Sequence, residues 1–392
     1  MIYFNCDYNE GAHPEILSRL SATNMEQTIG YGCDEYCEEA RALIRKACQA
    51  PDADVHFLVG GTQANATIIL AALRSYQGAL CAQSGHINVH ETGAVELDGH
   101  KVLGLPSADG KITAQQIDAA YQAHIHDSSF EHMVQPKLVY ISQPTELGTL
   151  YTRTELEAIS KVCRADGLYL FVDGARLGYG MAADSNDVFL PDLAQLADVF
   201  YIGGTKLGAL FGEAVVITNA DLKKDFRYLI KQKGAMLAKG RLLGLQFSTL
   251  LDEAYVEDAS LSDIEKGAKN LYMKGGYHAV RQANQIREVL NRKAIQYLVA
   301  NDTNQIFPVL PCDLWDGITV RAEELAGVCV HDIGRRLFFR NGIFACLAFY
   351  LAGYGLFGLV SRDMAVSGRV VDLDPRLHIV DEHMEGNALS VI

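Results

Sequence analysis

The stretch that decides the fold class is Leu168-Tyr169-Leu170-Phe171-Val172-Asp173-Gly174-Ala175-Arg176. Its first five residues are aliphatic or aromatic, without the alternation of apolar and polar positions that marks a half-exposed strand. Strands of this kind are covered on both faces, as in sheets built mainly from parallel strands. A carboxylate, a glycine and an arginine follow, at the end of the strand where open α/β sheets bind ligands. The stretch therefore predicts a buried parallel strand that ends at a binding edge.

Similar apolar runs recur on both sides of this stretch and alternate with helical patterns. Predicted strands lie at 55–59, 79–82, 101–105, 137–142, 168–172, 199–202 and 214–217. Predicted helices lie at 63–76, 113–126 and 154–166. The last helix has Thr154 and Glu157 at the spacing of a capping box. This alternation predicts an α/β fold in which helices cover a mainly parallel, seven-stranded sheet.

The chain divides into three predicted parts. They are an N-terminal arm over 1–25, a large domain over 26–255, and a smaller α+β domain over 256–392. Residues 262–310 read as a helix followed by a strand that ends at Pro308. After Pro311 the sequence changes character, and 342–360 is an uncharged run of 19 residues. Its alternatives are a buried core segment, a marginal membrane span or a shifted reading frame, and we expect no membrane insertion.

Composition excludes several classes of protein. The chain has 392 residues, of which 49% are hydrophobic and 21% charged, values typical of a folded globular protein. A formal net charge of −14 argues against nucleic acid or an anionic membrane as a partner, because both bind basic patches. Nine cysteines without a C-x-x-C pair predict reduced thiols rather than disulfides or zinc. The polar N-terminus lacks signal-peptide features, so we expect a cytoplasmic protein.

A glycine turn follows the first predicted strand. Gly60-Gly61-Thr62-Gln63-Ala64-Asn65 comes directly after Phe57-Leu58-Val59 and opens a helix. Backbone N–H groups of glycine and the N-terminus of a helix bind anions such as phosphate, and Thr62 adds a hydroxyl donor. The alternative is an ordinary strand-to-helix turn capped by Thr62. A Walker loop is excluded because no Gly-Lys-Ser/Thr sequence follows.

Two further strand ends carry charged residues. Asp173 could pair with a cationic ligand group, and Arg176 could bind a substrate carboxylate with two parallel N–H groups. The alternatives are a turn aspartate before glycine and a surface ion pair. Lys206 follows the apolar run 199–202 through Gly203-Gly204-Thr205. This placement predicts a lysine at the edge of a site, where loss of solvent favours the free, nucleophilic amine.

A histidine follows the second predicted strand, within Ser84-Gly85-His86-Ile87-Asn88-Val89-His90-Glu91. The imidazole of His86 could stack on a flat cofactor and act as a base. His86 and His90 are four residues apart, as metal ligands on a helix can be. No third ligand accompanies them in the sequence, so we predict no metal site. A loop histidine without a special role is the remaining alternative.

Together these residues match the requirements of pyridoxal phosphate (PLP). This cofactor needs a lysine for a Schiff base, an acid at the pyridine nitrogen, donors for the phosphate, and a flat group on the ring. The candidates are, in the same order, Lys206, Asp173, the turn of Gly60, Gly61 and Thr62, and His86. Each lies at a strand end, so one edge of the sheet could collect them all. The ordered set is more specific than any single motif and predicts a PLP enzyme.

The same motifs resemble the L-threonine aldolase group of the β-eliminating lyase family, which has an aspartate-aminotransferase-like fold. The resemblance covers roughly residues 1–311. It rests on Tyr31-Gly32, Gly60-Gly61-Thr62-Gln63-Ala64-Asn65, Gly85-His86-Ile87, Phe171-Val172-Asp173-Gly174-Ala175-Arg176 and Gly203-Gly204-Thr205-Lys206. The Asp-Gly-Ala-Arg motif is fairly specific to this group among PLP enzymes.

The resemblance implies a role for each candidate residue. For the cofactor it implies a Schiff base with Lys206, a pyridine partner in Asp173, phosphate contacts from Gly61 and Thr62, and ring stacking by His86. For the substrate it implies Arg176 near the carboxylate. Tyr31 would reach the site of a neighbouring subunit, since members of the family are typically homodimers or homotetramers.

The sequence departs from the family pattern in three places. Cys6-Asp7-Tyr8 stands where the family often has Ser-Asp-Thr, and Pro144-Thr145-Glu146 replaces a common Thr-His pair. The second change could alter the range of substrates. The family also has a C-terminal arginine that binds the substrate carboxylate; no convincing counterpart follows Pro311, and Arg321 is a poor match.

The resemblance implies aldol cleavage of a β-hydroxy-α-amino acid, with L-threonine or L-allo-threonine giving glycine and acetaldehyde. A base, either His86 or an ordered water, would take the β-hydroxyl proton. The same scaffold could instead eliminate a β-substituent or transfer an amino group. A further alternative is a chain that binds PLP but is catalytically impaired and serves as a subunit or interaction protein.

Overall fold

A computed structural model describes residues 6–255 and 268–309. The strands within these ranges are β1 (Asp54–Leu58), β2 (Gln77–Ala82), β3 (Lys101–Leu105), β4 (Gln135–Ser142), β5 (Tyr169–Asp173), β6 (Val199–Gly203), β7 (Glu213–Ile217), β8 (Gln296–Tyr297) and β9 (Pro308–Val309). The first seven form one sheet in the order β1-β7-β6-β5-β4-β2-β3, and β8 pairs with β9. Each strand of the large sheet overlaps a predicted strand.

Most neighbouring strands of the large sheet are parallel. Only β7 runs against its neighbours β6 and β1 among the strand pairs of this sheet, and the other pairs are parallel. The carboxyl ends of β4, β5 and β6 therefore share one edge with the amino end of β7. The register places Ser142 opposite Asp173, and Gly203 opposite Glu213. The predicted α/β fold with a mainly parallel seven-stranded sheet is confirmed.

Both faces of the sheet are covered, as the continuous apolar runs predicted. Leu170 and Val172 belong to one buried cluster, whereas Phe171 between them belongs to another. The same alternation divides Phe200 and Tyr201 in β6. Successive side chains of a strand point to opposite faces, so these two clusters are the two layers between sheet and helices. A fully buried side chain such as Phe171 contributes about 2–3 kcal/mol through loss of apolar surface to water.

Helices connect the strands and form the outer layers. They are α1 (Pro14–Ala22), α2 (Glu35–Ala47), α3 (Gly61–Ala72), α4 (His86–Val89), α5 (Ala94–Leu97), α6 (Ala114–Ile125), α7 (Arg153–Asp166), α8 (Leu177–Met181), α9 (Leu190–Leu196), α10 (Ala220–Lys223), α11 (Phe226–Gln232), α12 (Arg241–Leu251) and α13 (Leu271–Arg292). No helix in the described ranges is long and apolar enough to cross a membrane.

The start of α7 differs from the prediction by two residues. Thr152 caps the helix and Glu155 completes the capping box, so the predicted pair Thr154 and Glu157 was wrong. The sequence contains both Thr-x-x-Glu pairs in overlapping positions, and spacing alone does not separate them. Starting at Arg153 lets its backbone N–H bond Asp187 and its side chain pair with Glu157 one turn on. A helix capped by Thr152 therefore makes contacts that a helix capped by Thr154 would lack.

The segment before Pro308 was predicted as a strand, and this was wrong over most of its length. Residues 303–307 are buried but have no strand geometry, and β9 begins only at Pro308. Their polar side chains bond a loop of the large sheet instead: Thr303 donates to Gly148, and Gln305 donates to the carbonyl of Glu146. The apolar run 342–360 and Arg321 lie outside the described residues, and the three-part division of the chain remains a prediction.

Candidate active site

Asp173 is the centre of a buried polar cluster at the carboxyl end of β5. It is 4% exposed, and both carboxylate oxygens accept hydrogen bonds. Tyr140 and the side-chain amide of Asn65 donate to Oδ2 at 2.6 and 3.1 Å. Tyr201 and the backbone N–H of Ala175 donate to Oδ1, the latter at 2.9 Å. These donors fix the orientation of the carboxylate at the edge of the sheet.

The two tyrosines reach Asp173 from neighbouring strands. Tyr140 lies in β4 and Tyr201 in β6, and both are almost fully buried. Burial, followed by the negative charge of Asp173, raises the pKa of each phenol well above its usual value. Both hydroxyls therefore stay protonated and act as donors to the carboxylate across the whole physiological range.

The glycine turn lies beside this cluster. Helix α3 begins at Gly61, and its cap residue Gly60 offers no side chain to the first N–H groups. The first turn also contains no acidic residue. A methyl group added at Gly61 would lie 3.2 Å from the hydroxyl oxygen of Tyr201, which itself donates to Asp173. The start of α3, with its uncapped N–H groups and partial positive charge, thus faces the Asp173 edge.

Lys206 follows β6 and is held close to Asp173 by glycines that leave no room for side chains. A methyl group at Gly174 would lie 1.9 Å from the carbonyl oxygen of Tyr201. The N–H of Gly203 also donates to the carbonyl of Gly174 at 3.0 Å. The segments after β5 and β6 are therefore in backbone contact, which brings both predicted residues to one edge. The amine of Lys206 lies 5.8 Å from the ring centre of Tyr8.

A buried acid, Glu213, lies next to this lysine. It begins β7 opposite Gly203 and is 3% exposed. Its Oε1 accepts a hydrogen bond from Thr205, whereas its Oε2 is buried without a partner among the described residues. Burial raises the pKa of Glu213 to about 8, although the nearby charge of Lys206 lowers it. The sequence offered no signal for this residue beyond a charge at the start of an apolar strand.

His86 begins the short helix α4 and contacts a second buried acid. Its Nδ1 lies 2.7 Å from Oε1 of Glu91, which also accepts a hydrogen bond from Asn65 at 2.6 Å. Burial lowers the pKa of His86, but the hydrogen bond to Glu91 and the negative charge of Asp173 outweigh it, so the net shift is upward. His86 is thus a titratable group at the same edge as Asp173, with its basicity increased by Glu91.

Glu146 belongs to a ring of polar groups around this edge. Its Oε1 accepts from the backbone N–H of His86 at 2.9 Å and from the hydroxyl of Ser142 at 2.6 Å. Burial raises the pKa of Glu146, although the hydrogen bond from Ser142 opposes the shift. Hydrogen bonds run from Asp173 through Asn65, Glu91, His86 and Glu146 to Ser142. The Ser142 hydroxyl lies 3.4 Å from the hydroxyl of Tyr140, which donates to Asp173, and this contact completes the polar ring.

Arg176 is paired with an acid of the N-terminal segment. Its Nε donates to Oδ2 of Asp7 at 2.7 Å and its Nη2 donates to Oδ1 at 3.3 Å. Asp7 is fully buried and also accepts from Asn304 at 3.2 Å. Arg176 is therefore bound by a carboxylate of the protein itself, on the side of the guanidinium that carries Nε. The surface ion pair that the sequence left open is in fact a buried one.

Tyr31 lies apart from the residues described so far. It is 48% exposed, and the Lys231 amine lies 5.0 Å from its ring centre. It lines a pocket together with Arg41 and Arg227, away from Asp173. The rings of His86 and His90 are 5.5 Å apart, but within the described ranges no group of three metal-binding side chains includes them.

The site contains several residues to which the sequence assigned no catalytic or binding role, although Asp7 and Glu146 stand at two departures from the family pattern. They are Glu91, Glu146, Glu213, Tyr140 and Tyr201, together with Asp7 as the partner of Arg176. Two of them, Tyr140 and Tyr201, could have been noticed as polar groups inside predicted buried strands. The three glutamates gave no such signal, because their burial depends on contacts between distant segments.

The assembled residues fit PLP. Among the described residues, the buried atoms Oδ1 of Asn65 and Oε2 of Glu91 have no hydrogen-bond partner and lie around Asp173. A fixed carboxylate suits a pyridine nitrogen that carries a proton, and the uncapped start of α3 suits a phosphate. The Lys206 amine at the same edge suits an aldehyde. Lys206, Asp173, Gly61, Thr62 and His86 are the residues that could hold the cofactor.

The chain is similar in sequence to known proteins. The sequence profile described as beta-eliminating lyase matches residues 7–313. The low specificity L-threonine aldolase of Pseudomonas aeruginosa is 32% identical over 263 residues, which cover 65% of this chain and 73% of that one. The protein of the same name from a Pseudomonas species is 33% identical over 255 residues, covering 64% and 71%.

Two solved structures are also similar to this chain. A threonine aldolase from Leishmania major is 43% identical with a TM-score of 0.75, covering 81% of this chain and 87% of that one. Aspartate aminotransferase from Thermus thermophilus is 13% identical with a TM-score of 0.59 and covers 83% and 80%, so it shares the fold. Because the family profile spans most of the sequence and the described fold agrees with it, this chain belongs to the beta-eliminating lyase family.

Proposed function

We propose that this protein is a PLP-dependent threonine aldolase that cleaves L-threonine or L-allo-threonine to glycine and acetaldehyde. The observation that carries the proposal is the single sheet edge that collects Asp173, Lys206, His86 and the uncapped start of α3. The Pseudomonas and Leishmania relatives, which are themselves named threonine aldolases, favour this reaction over β-elimination and amino transfer. The complete polar ring around Asp173 argues against a catalytically impaired subunit.

Each residue has a distinct task in this proposal. Lys206 holds the cofactor through its amine, and Asp173 faces the ring nitrogen with a carboxylate that four donors keep in place. Gly61 and Thr62 direct N–H and hydroxyl groups at the phosphate. When bound, PLP supplies the electron sink for the carbon–carbon bond that breaks. The protein supplies position and proton transfer.

His86 is the proposed proton carrier for the β-hydroxyl group. Its Nδ1 is engaged by Glu91, so the ring is held in one orientation and its other nitrogen, Nε2, is the one that can face the substrate. The carboxylate of Glu91 stabilises the imidazolium that forms when His86 takes the proton. Glu146 accepts a hydrogen bond from the backbone N–H of His86. It stands at the place where the family commonly has a Thr-His pair.

The proposal also covers the binding of the substrate carboxylate, the assembly of subunits and the location of the protein in the cell. Arg176 remains the candidate for the substrate carboxylate, with Asp7 holding the guanidinium in place from the other side. The exposed Tyr31 supports a role at a subunit boundary in a homodimer or homotetramer. Free cysteines such as Cys48 and Cys163 support a cytoplasmic location, because thiols stay reduced there.

Cofactor binding tests the proposal directly. Purified protein incubated with PLP should develop the visible absorbance band of a lysine-bound cofactor, and Lys206→Ala should not. Lys231→Ala is a matched control, because this lysine contacts Tyr31 rather than the Asp173 edge, and it should keep the band. A wild-type protein without the band would contradict the proposal. A Lys206→Ala protein with an undiminished band would contradict the assignment of the lysine.

A further inference from the structure

Glu213 is a buried acid for which the proposed reaction has no task. An ionised carboxylate is rarely buried unless it is paired, because loss of water strongly disfavours the charge. Here only one of its two oxygens has a partner among the described residues, the hydroxyl of Thr205 at 3.1 Å. The same hydroxyl accepts the N–H of Gly212 at 3.0 Å, so Thr205 is fixed between the end of β6 and the start of β7.

The surroundings of Glu213 set its charge. Burial raises its pKa to about 8, and the negative charge of Asp173 acts in the same direction, while Lys206 and the hydrogen bond from Thr205 lower it. Burial raises the pKa of two nearby phenols, Tyr201 from β6 and Tyr272 from α13. The negative charge of Glu213 raises both values further, so the two phenols remain neutral. Lys206 is thus the positive group that faces Glu213.

Lys206 needs a nearby proton acceptor before it can hold a cofactor. A lysine amine reacts with an aldehyde only as the free base, so its ammonium form must first lose a proton. Among the described residues Lys206 makes no ion pair within 4 Å. It directly follows Thr205, whose hydroxyl donates to Glu213 at 3.1 Å, and its positive charge lowers the pKa of Glu213. Transfer over the remaining gap needs one bridging water or a rotation of the lysine side chain, both of which are usual for proton transfer in sites.

We propose that Glu213 accepts the proton that Lys206 must release before its amine couples to the cofactor, and returns it when the amine is freed again. The proposal rests on the assignment of Lys206 in the proposed function. The proton moves from Nζ of Lys206 to an oxygen of Glu213. The lone pair left on nitrogen forms the bond to the aldehyde carbon, and the aldehyde oxygen leaves as water with the two remaining amine hydrogens.

The rate at which cofactor-free protein couples to PLP tests this role without measuring turnover. In the wild type, the rate of appearance of the visible band should rise with pH and level off near pH 8, where Glu213 becomes ionised. Glu213→Gln keeps the size and the contact with Thr205 but cannot take a proton. The coupling rate of this variant should be about 100-fold lower than that of the wild type at pH 8, because general bases contribute at least about that much. Its rate should keep rising above pH 8 instead of levelling off.

A matched control separates proton transfer from loss of a buried charge. Asp34 caps α2, is 2% exposed, and likewise has one bonded and one unpartnered carboxylate oxygen among the described residues. Asp34→Asn should leave both the coupling rate and its levelling near pH 8 unchanged. Glu213→Asp keeps a carboxylate and should keep a levelling point, which preserves the test if Glu213→Gln folds poorly.

A second readout follows the proton itself. The proton that leaves Lys206 before coupling is carried by Glu213. Infrared difference spectra at pH 8 should therefore show a protonated carboxyl band that grows on addition of PLP, and Glu213→Gln should lack it.

The outcomes distinguish this inference from the proposed function. If the coupling rate of Glu213→Gln still levelled off near pH 8, the role of Glu213 would be overturned. The assignment of Lys206 as the cofactor lysine would be unaffected. An equal loss of coupling rate at every pH would overturn it in the same way, since that is the result of a structural role alone. A wild-type protein that develops no visible band would contradict both.

Discussion

The Nδ1 atom of His86 lies 2.7 Å from a carboxylate oxygen of Glu91, whose side chain is completely buried. This pair raises the pKa of His86 against the opposing effect of burial. A histidine with a raised pKa gains stability from its partner at pH values below its unfolded pKa, and the gain is lost as pH rises through the folded pKa. The pair therefore couples the titration of His86 to the stability of the fold.

Replacing Glu91 by Gln should lower the pKa of His86. The amide keeps the size of the side chain but removes the negative charge, and an adjacent opposite charge is worth about 1 pKa unit or more. An NMR titration of the His86 ring proton measures the change. An unchanged midpoint for His86 would show that Glu91 does not stabilise the imidazolium.

Asp173→Asn should weaken cofactor binding and slow threonine cleavage by roughly 100-fold or more, because it removes the charge that faces the ring nitrogen. Titration of the visible band with PLP and steady-state assays measure the two effects. Tyr201→Phe removes one hydrogen bond to the same carboxylate and should cost about 10-fold, since a bond to a charged group is worth about 1.5 kcal/mol. Equal effects from both variants would contradict a direct role for the Asp173 charge.

The strands could be predicted from the sequence because they depend on local patterns, whereas the roles of the proposed site residues remain predictions. Continuous apolar runs indicated each strand of the sheet. The glycine turns and charged residues that follow them indicated the sheet edge at which Asp173 and Lys206 lie. Local spacing was insufficient at α7, where two capping pairs overlap and contacts with Asp187 decide between them. It also failed before Pro308, where buried side chains bond a distant loop instead of forming a strand.

The acids of the site could not be predicted, for a related physical reason. Glu91, Glu146 and Glu213 stand in sequence surroundings that are equally typical of exposed glutamates. Their burial follows from the meeting of segments that are far apart in the chain, such as Glu146 with the backbone of His86 across 60 residues. The pairing of Arg176 with Asp7 spans 169 residues and was equally invisible in the sequence.

Removing the Arg176 side chain should destabilise the protein. Arg176→Leu leaves the fully buried Asp7 without its cation, and breaking such a pair costs about 3 kcal/mol. Urea unfolding of cofactor-free protein measures the loss. Arg153→Leu breaks two ion pairs, with Glu157 and Asp192, at the exposed start of α7 and should change the midpoint little. If Arg176→Leu were as stable as Arg153→Leu, the pair with Asp7 would be too weak to position the arginine.

Thr62→Val should weaken PLP binding about 10-fold, because it removes a hydroxyl donor from the start of α3 at a cost of roughly 1.5 kcal/mol for a bond to a charged group. The dissociation constant from the visible band measures this. Thr62→Ser keeps the hydroxyl and should bind PLP like the wild type. Equal affinity of the Val and Ser variants would place the phosphate elsewhere than at this helix start.

Release of glycine and acetaldehyde from L-threonine, assayed in the wild type and in Lys206→Ala together, tests the central claim most directly. The account predicts that the wild type releases the two products in equal amounts when supplied with PLP, and that Lys206→Ala releases neither above the background of free PLP. A keto acid and ammonia in place of these products would indicate elimination rather than aldol cleavage. Undiminished release of glycine and acetaldehyde by Lys206→Ala would contradict the assignment of Lys206 as the residue that holds the cofactor.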